Sequence, residues 1–453
     1  MYQTINPATD ELLDEYPTAT DAEVSAAIER SHRAYTHWRR VPLDRRISAI
    51  RAVATAIRER TDELALIITQ EMGKRIDESR GELQLVAEIF DYYASAAPEL
   101  LADDTIAIDG ATAYVRKEPI GVILGIMPWN FPYYQVARLA APNLVLGNTI
   151  LLKHASNCPR AAAAIEEIIV SSGVPSDAFI NVYASSSQIP DILADDRVCG
   201  VSLTGSEKAG LAVAELAGRN LKKAVLELGG SDPFIVLDTE DIAETAEIAV
   251  ASRMGNNGQA CNAPKRMIVM DEIYDEFVAE FAARLERYGP GDPSDPKTLL
   301  PPLSSRAAAE EFVAQVNDAV EKGATLHCGG TQLDGPGAYV SPALLTGVKP
   351  GMHAYDDEIF GPAAVVFRVR DEDEAISLAN DTKFGLGASV YSVDRKRAER
   401  VAEQLEAGMV YINAPGGSRA ELPFGGVKRS GIGRELGPLG IEEFMNKKTI
   451  MIR

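Results

Sequence analysis

The chain has 453 residues, 46% of them hydrophobic and 25% charged, a composition typical of a folded globular protein with two or more domains. Its 45 basic and 66 acidic residues give a formal net charge of −21, which argues against nucleic acid or an anionic membrane as a partner. Four scattered cysteines do not make a disulfide framework, and no cluster of Cys or His indicates a metal site. The acidic N-terminus argues against a secretory signal, and the lack of long apolar runs argues against a membrane span. We therefore expect a cytoplasmic protein.

The first hundred residues predict a strand pair followed by packing helices. The strand pair is expected over residues 2–18, and Thr20 with Glu23 forms a capping box that begins the first helix. Apolar residues then recur at helical spacing in four successive segments. Residues 104–118 alternate apolar and polar side chains, which predicts an exposed hairpin or sheet edge.

From Gly121 onward, short apolar strands alternate with helices. This pattern predicts a parallel sheet covered on both faces, with ligands bound at the carboxyl ends of its strands. Polar groups follow four of these strands, at Pro128-Trp129-Asn130, Lys153-His154-Ala155-Ser156, Thr204-Gly205-Ser206 and Glu227. A second alternating region begins after Gly229-Gly230, and a site in the cleft between the two regions is expected.

A polar, glycine-rich turn over residues 255–266 holds Cys261 near the start of the second region. Free backbone N–H groups in such a turn are expected to lower the pKa of the thiol and produce a nucleophilic thiolate. On these residues alone, a small apolar side chain in a loop fits about as well. Ala263 rules out a second cysteine two residues on.

Together with Glu358-Ile359-Phe360-Gly361-Pro362 and Pro423-Phe424-Gly425-Gly426, these motifs resemble the aldehyde dehydrogenase superfamily. The resemblance runs from about Asn6 to the C-terminus. It implies an α/β fold with three parts: a Rossmann-like, doubly wound cofactor domain (1–100 and 120–229), a second α/β catalytic domain (230–429), and a small β oligomerisation arm with the C-terminal tail (101–119 and 430–453).

The resemblance also implies roles for individual residues. Cys261 would be the nucleophile, Asn130 the oxyanion donor and Glu227 the general base. The residues expected at the cofactor are Met127, Pro128, Trp129, Lys153, Ala155, Ser156, Gly205, Ser206, Leu228, Glu358 and Phe360. NAD-preferring relatives commonly have a glutamate where this chain has Ser156, so NADP is the expected cofactor and NAD is possible.

Arg138 and Ser418 match the positions that bind the substrate carboxylate in the succinate-semialdehyde dehydrogenases. The sequence around Lys153 resembles that of a branch of this group with shorter chains. Succinate semialdehyde is therefore the expected substrate, and a homodimer or homotetramer the expected assembly. If Arg138 is instead a surface salt-bridge residue, a broad-specificity aldehyde dehydrogenase fits. A coenzyme A-acylating enzyme and a non-catalytic relative are further alternatives, and Glu227 argues against both. The acidity fits an ordinary enzyme or adaptation to high salt.

Overall fold

The structure is a computed structural model that describes residues 1–453. Two large, mainly parallel sheets dominate it, accompanied by a three-stranded antiparallel arm and a short N-terminal hairpin. None of its helices combines the length and the apolar character that a membrane span requires.

The first part of the chain forms the hairpin, four helices and two strands of the arm. Their bounds are β1 (Tyr2–Ile5), β2 (Leu12–Tyr16), α1 (Asp21–Trp38), α2 (Leu43–Glu59), α3 (Thr61–Met72), α4 (Ile76–Leu100), β3 (Asp104–Ile108) and β4 (Ala111–Pro119). The capping box of Thr20 and Glu23 is present at the start of α1.

The next part alternates strands and helices as its sequence predicts. Its elements are β5 (Val122–Met127), α5 (Pro132–Leu146), β6 (Thr149–His154), α6 (Pro159–Ser171), β7 (Phe179–Asn181), α7 (Ile189–Ala194), β8 (Val198–Thr204), α8 (Glu207–Arg219) and β9 (Lys223–Glu227). Helix α5 is buried along its whole length, between the sheet and the N-terminal helices.

The second alternating region and the C-terminal tail complete the chain. Their elements are β10 (Pro233–Val236), α9 (Ile242–Met254), β11 (Arg266–Met270), α10 (Asp271–Leu285), α11 (Arg306–Glu321), β12 (Thr325–Cys328), β13 (Ala343–Thr346), α12 (His353–Asp356), β14 (Ala363–Val369), α13 (Glu372–Asn380), β15 (Gly387–Tyr391), α14 (Arg395–Ala402), β16 (Met409–Ile412), β17 (Gly431–Ile432), α15 (Gly437–Gly440) and β18 (Met445–Ile452).

The first large sheet has the order β17-β9-β8-β5-β6-β7 and is parallel except for β17. Its five parallel strands follow the doubly wound order, which reverses direction between β5 and β8. Residues after these two strands include Asn130 and Gly205, so both flank the point where such sheets bind ligands.

The second large sheet has the order β12-β13-β14-β11-β10-β15-β16 and is parallel except for β12. The arm has the order β18-β4-β3. Two details differ from the sequence prediction. Strand β13 was not predicted, and β17 pairs with β9 in the first sheet instead of belonging to the tail.

Candidate active site

A cleft of about 800 Å³ lies between the units built on the two large sheets. The structure brings nine of the predicted residues together in its lining, from both units: Pro128, Trp129, Asn130, Gly205, Ser206, Leu228, Cys261, Glu358 and Phe360. Trp129 and Phe360 meet edge to face, with ring centroids 5.7 Å apart. The cleft is therefore lined by residues of both units, with an aromatic contact between them.

A second cavity of about 340 Å³ lies on the other side of Cys261. Its walls come from α4, the start of α5, the cysteine turn and the loop that contains Ser418. Cys261 is the only residue that lines both cavities. A reacting group on its sulfur could thus be reached from two sides.

Lys265 holds the backbone of the cysteine turn. Its Nζ donates hydrogen bonds to the carbonyl oxygens of Ala260 (2.9 Å), Cys261 (2.8 Å) and Ala263 (3.1 Å). The same Nζ lies 3.1 Å from Oε1 of Glu358. One buried ammonium group therefore fixes the turn and anchors a carboxylate that lines the large cleft.

The pKa of Cys261 differs from the sequence prediction. Burial raises it to about 12, although Arg138 and Lys265 act in the opposite direction. The expected lowering is therefore wrong, because desolvation of the thiolate outweighs the two nearby cations. Any ionisation of this thiol must overcome its burial.

Asn130 is buried and fixed at both its amide and its main chain. Its Nδ2 donates to the carbonyl oxygen of Gln259 at 3.1 Å. Its own carbonyl oxygen accepts from Nδ2 of Asn256 at 3.0 Å. An asparagine amide has two N–H donors, so one remains for a ligand.

Glu227 ends β9 and is 2% exposed, and neither carboxylate oxygen has a hydrogen-bond partner. Burial raises its pKa well above the usual range, and Arg138 only opposes this effect. Gly425 makes room for the side chain, because a Cβ there would lie 2.6 Å from Oε1 of Glu227. Glu227 lines neither cavity, but Leu228 beside it lines the large cleft. A buried carboxyl group without partners, next to a cleft-lining residue, is a candidate general base.

Glu358 lines the large cleft but is already engaged. Besides Lys265, its Oε1 accepts a hydrogen bond from the backbone N–H of Gly230 at 3.2 Å. Ser206 caps the 13-residue helix α8 by accepting from the N–H of Ala209 at 3.3 Å. The start of α8 thus borders the cleft with backbone N–H groups that suit a phosphate.

Four residues predicted at the cofactor do not line the cleft. Met127 is buried at the end of β5. Lys153, Ala155 and Ser156 lie at the end of β6 and on the turn that follows it, where Ser156 is exposed. His154 on the same turn is buried and neutral, since burial lowers its pKa to about 4. Contact of this turn with a cofactor stays a prediction.

Arg138 does not face the substrate side. It is 1% exposed, and its Nε lies 2.8 Å from Oε2 of Glu435, an ion pair without hydrogen-bond alignment. Its guanidinium lies between the rings of Tyr134 and Phe424, 4.8 and 4.6 Å from their centroids. The expectation of an arginine turned toward the substrate entrance is therefore wrong, and Arg138 is not a surface salt-bridge residue either.

Ser418, in contrast, lines the smaller cavity. Its Oγ accepts a hydrogen bond of 2.7 Å from the hydroxyl of Tyr134. The Tyr134 hydroxyl in turn accepts from Nη1 of Arg138 at 3.4 Å. Arg138 therefore reaches the cavity only through two hydroxyl groups.

Several residues of the site were not predicted. Lys265, Asn256 and Gln259 lie in the turn that was singled out, but their partners are distant in sequence or are backbone atoms. Tyr134 lies in a helix that the alternating pattern predicts, but no role was assigned to it. The available signal for Lys265 was its place between the cysteine turn and the apolar strand β11.

The aldehyde dehydrogenase family model matches residues 1–450. A succinate-semialdehyde dehydrogenase [NADP(+)] of Deinococcus radiodurans is 52% identical over 449 residues, which are 99% of this chain and 94% of the relative. One of Mycobacterium avium is 45% identical over 99% of this chain and 96% of the relative. The crystal structure of a succinic semialdehyde dehydrogenase from Streptococcus pyogenes in complex with NADP+ is similar with a TM-score of 0.97, at 43% identity over 99% of both chains.

Proposed function

Because the chain belongs to the aldehyde dehydrogenase family, we propose that it oxidises succinate semialdehyde to succinate with NADP as the hydride acceptor. The observation that carries this proposal is the position of Cys261, which alone lines both the large cleft and the smaller cavity. The names of the relatives described above support the choice of substrate and cofactor.

The residues of the large cleft fit a dinucleotide. The start of α8 would hold the pyrophosphate, and Trp129 and Phe360 offer aromatic surface beside Cys261. The turn 153–158 contains a lysine and an exposed serine but no acidic residue, which suits a ribose 2′-phosphate. When bound, the nicotinamide group supplies the acceptor for the hydride that leaves the substrate.

The protein's own groups would carry the other steps. The Cys261 thiolate adds to the aldehyde carbon, and the free N–H of the Asn130 amide, with the backbone N–H of Cys261, stabilises the resulting oxyanion. Loss of hydride from this adduct leaves a thioester on Cys261. Its hydrolysis returns the thiol and releases the carboxylic acid.

Glu227 would activate the water that hydrolyses the thioester. A general base must be deprotonated to act, and burial raises the pKa of Glu227, so it is also a stronger base than an exposed glutamate. Neither carboxylate oxygen is engaged by another protein group, so both remain able to accept a hydrogen bond from a water. This role distinguishes hydrolysis from acyl transfer to coenzyme A.

Recognition of the distal carboxylate would rest on Ser418. Burial raises the pKa of Tyr134 to about 12, so its hydroxyl stays protonated and donates to Ser418. The Ser418 proton is then free to donate to a carboxylate. The positive charge of Arg138 behind Tyr134 polarises this chain of hydrogen bonds and makes Ser418 a better donor.

The test is a comparison of specificity constants for succinate semialdehyde and butanal, each with NADP and NAD. A charge-assisted hydrogen bond contributes about 1.5–3 kcal/mol, so we expect a preference of about ten- to a hundredfold for the charged aldehyde. NADP should be preferred, and Ser156→Glu should remove that preference. Equal use of both aldehydes would favour a broad-specificity enzyme, and a preference for NAD would overturn the cofactor assignment. Succinyl-coenzyme A as product would indicate the acylating alternative.

We further propose that the arm joins copies of this chain into a homodimer or homotetramer. Its strands expose Ile106, Ile108, Met451 and Ile452, an apolar surface that is unusual on an isolated protein. Light scattering after gel filtration should give a multiple of 48.7 kDa. A monomer at micromolar concentration would contradict this. The cytoplasmic location also stays a prediction.

A further inference from the structure

The N-terminal strand β1 contacts the end of β6 and the turn that follows it. Tyr2 lies against Lys153 at the end of β6, Gln3 bonds to Ser156 on the turn, and Thr4 reaches the start of α6 indirectly, through Glu71 of α3. Lys153 and Ser156 are the two residues expected to meet a ribose 2′-phosphate. No role in catalysis or cofactor binding has so far been given to β1.

Tyr2 lies against Lys153. Its ring is 2% exposed, and Nζ of Lys153 lies 5.7 Å from the ring centroid, within the range of a cation–π contact. The Tyr2 hydroxyl donates to the carbonyl oxygen of Ala184 at 2.7 Å, and its ring packs on Tyr183 with centroids 5.0 Å apart. The ring is thus fixed, and it limits the positions open to the ammonium group.

Gln3 holds Ser156 through the backbone. Its N–H donates to the carbonyl oxygen of Ser156 at 2.9 Å. This N–H therefore bonds outside the hairpin and not to the partner strand β2. Ser156 is exposed and has few other restraints, so this contact defines where its main chain lies.

Thr4 supports the start of α6, which begins directly after the turn. Its Oγ1 donates to Oε1 of the buried Glu71 at 2.9 Å. The carboxylate of Glu71 also accepts from the N–H of Arg160 (2.8 Å) and of Ala161 (3.0 Å). The protein's own carboxylate therefore occupies the N-terminus of α6, which leaves Lys153 and Ser156 as the groups that can meet an anion on this turn.

We infer that β1 is a positioning element for cofactor choice: Tyr2 directs the Lys153 ammonium and Gln3 fixes the Ser156 main chain, so that both groups face the 2′-phosphate of NADP. This inference rests on the proposed preference for NADP. Tyr2 and Gln3 act through Lys153 and Ser156 and need not touch the cofactor.

The first test measures binding by calorimetry, without turnover. Adenosine 2′,5′-bisphosphate carries the 2′-phosphate that adenosine 5′-monophosphate lacks, so the ratio of their dissociation constants isolates this contact. Tyr2→Leu should weaken binding of the bisphosphate by about three- to tenfold and leave binding of the monophosphate unchanged, because the cation–π restraint on Lys153 is lost. Tyr2→Phe keeps the ring and should stay within about twofold of the wild type.

Tyr16→Leu is the matched control. Tyr16 lies in the same hairpin and packs on the same Tyr183 ring, with centroids 5.2 Å apart, but it does not contact Lys153. It should lower stability without changing the ligand ratio. If Tyr2→Leu changes the ratio no more than Tyr16→Leu does, the inference is overturned.

A second pair of variants covers a failure of Tyr2→Leu to fold. Gln3→Pro removes the N–H that holds Ser156, and proline is tolerated at a sheet edge where the N–H faces no partner strand. Gln3→Ala keeps that N–H. We expect weaker binding of the bisphosphate in Gln3→Pro but not in Gln3→Ala. Equal ratios of the two dissociation constants in both variants would overturn the inference. If the wild type does not bind the bisphosphate more tightly than the monophosphate, the NADP proposal fails and this inference fails with it. If the wild type has this preference and all variants keep it, only this inference fails.

Discussion

The two sides of Cys261 are built by different means. The side of the large cleft is lined by segments that follow β5, β8 and β9, by residues of α11 and by loops of the second unit, and it includes the rings of Trp129 and Phe360. The side of the smaller cavity is formed by the buried helices α4 and α5, and its wall contains the fully buried ion pair of Lys74 and Glu82. Glu82 also accepts the first N–H groups of α5, from Tyr133 (2.9 Å) and Tyr134 (3.0 Å).

This difference indicates which substitutions each side of Cys261 can tolerate. On the cofactor side several lining residues come directly after strands, so their positions depend on the sheets. On the substrate side the lining side chains are held by buried charges that are costly to leave unpaired. Substitutions at the centre should abolish the reaction, whereas those on the substrate side should affect stability and selectivity together.

The largest effect is expected at the residue that the two sides share. Cys261→Ala should lower turnover by on the order of 10⁶-fold, the size of loss found when an enzyme's nucleophile is removed. Steady-state rates of NADPH formation measure this, with circular dichroism to show that the fold is kept. Cys328→Ala, in which the replaced thiol lies in β12 and lines neither cavity, is the control and should keep its activity. Turnover within tenfold of the wild type in Cys261→Ala would refute the proposed chemistry.

Glu227→Gln should slow turnover by about 10²–10⁴-fold, because thioester hydrolysis loses its base. Stopped-flow measurements should show a rapid burst of NADPH followed by a slow steady state. The wild-type rate should rise with pH through the raised pKa of Glu227, since only the deprotonated base is active, and this rise should be absent in the variant. A variant without a burst would place Glu227 in the first half-reaction.

Arg138→Met should destabilise the protein by about 3–5 kcal/mol, because it leaves Glu435 buried and unpaired. Chemical denaturation measures this loss. The double variant Arg138→Met with Glu435→Gln removes the unpaired charge and should recover part of it. If Arg138→Met keeps the wild-type free energy of unfolding but loses the preference for succinate semialdehyde, Arg138 binds the substrate directly, and the substrate side is more open than described here.

The smallest effect is expected at the hydroxyl groups of the substrate side. Ser418→Ala should reduce the preference for succinate semialdehyde over butanal by about ten- to a hundredfold, since it removes the proposed charge-assisted hydrogen bond. Tyr134→Phe should give a smaller loss of roughly two- to tenfold, since it breaks the link between Arg138 and Ser418. Ratios of specificity constants check both. An unchanged ratio in both variants would mean that the cavity does not recognise a carboxylate through this chain.

The sequence predicted the cofactor side better than the substrate side for a physical reason. Polar residues directly after apolar strands are out of place unless they serve a site, so Asn130, Gly205 and Glu227 could be found from local pattern. Ser418 and Tyr134 meet across 284 positions, and no local signal reports such a contact. The burial of Arg138 was missed because its partner Glu435 comes from the far end of the chain.

The fold shows the same division. Long alternating stretches predicted both large sheets, because period and turn residues are local properties. Strand β13 has only four residues and β17 only two, too short for any periodicity. The raised pKa of Cys261 likewise depends on desolvation by both units, which a sequence reading cannot evaluate.

The pairing of β17 with β9 has a consequence for biosynthesis. Gly431 lies opposite Glu227, and the N–H of Leu228 donates to the carbonyl oxygen of Ser430 at 2.8 Å. A nascent chain emerges N-terminus first, so the whole second sheet is translated before this edge strand exists. The edge of β9, the strand that bears Glu227, therefore stays uncovered until residues 431–432 have been translated, so the site can be completed only after the second sheet has been made.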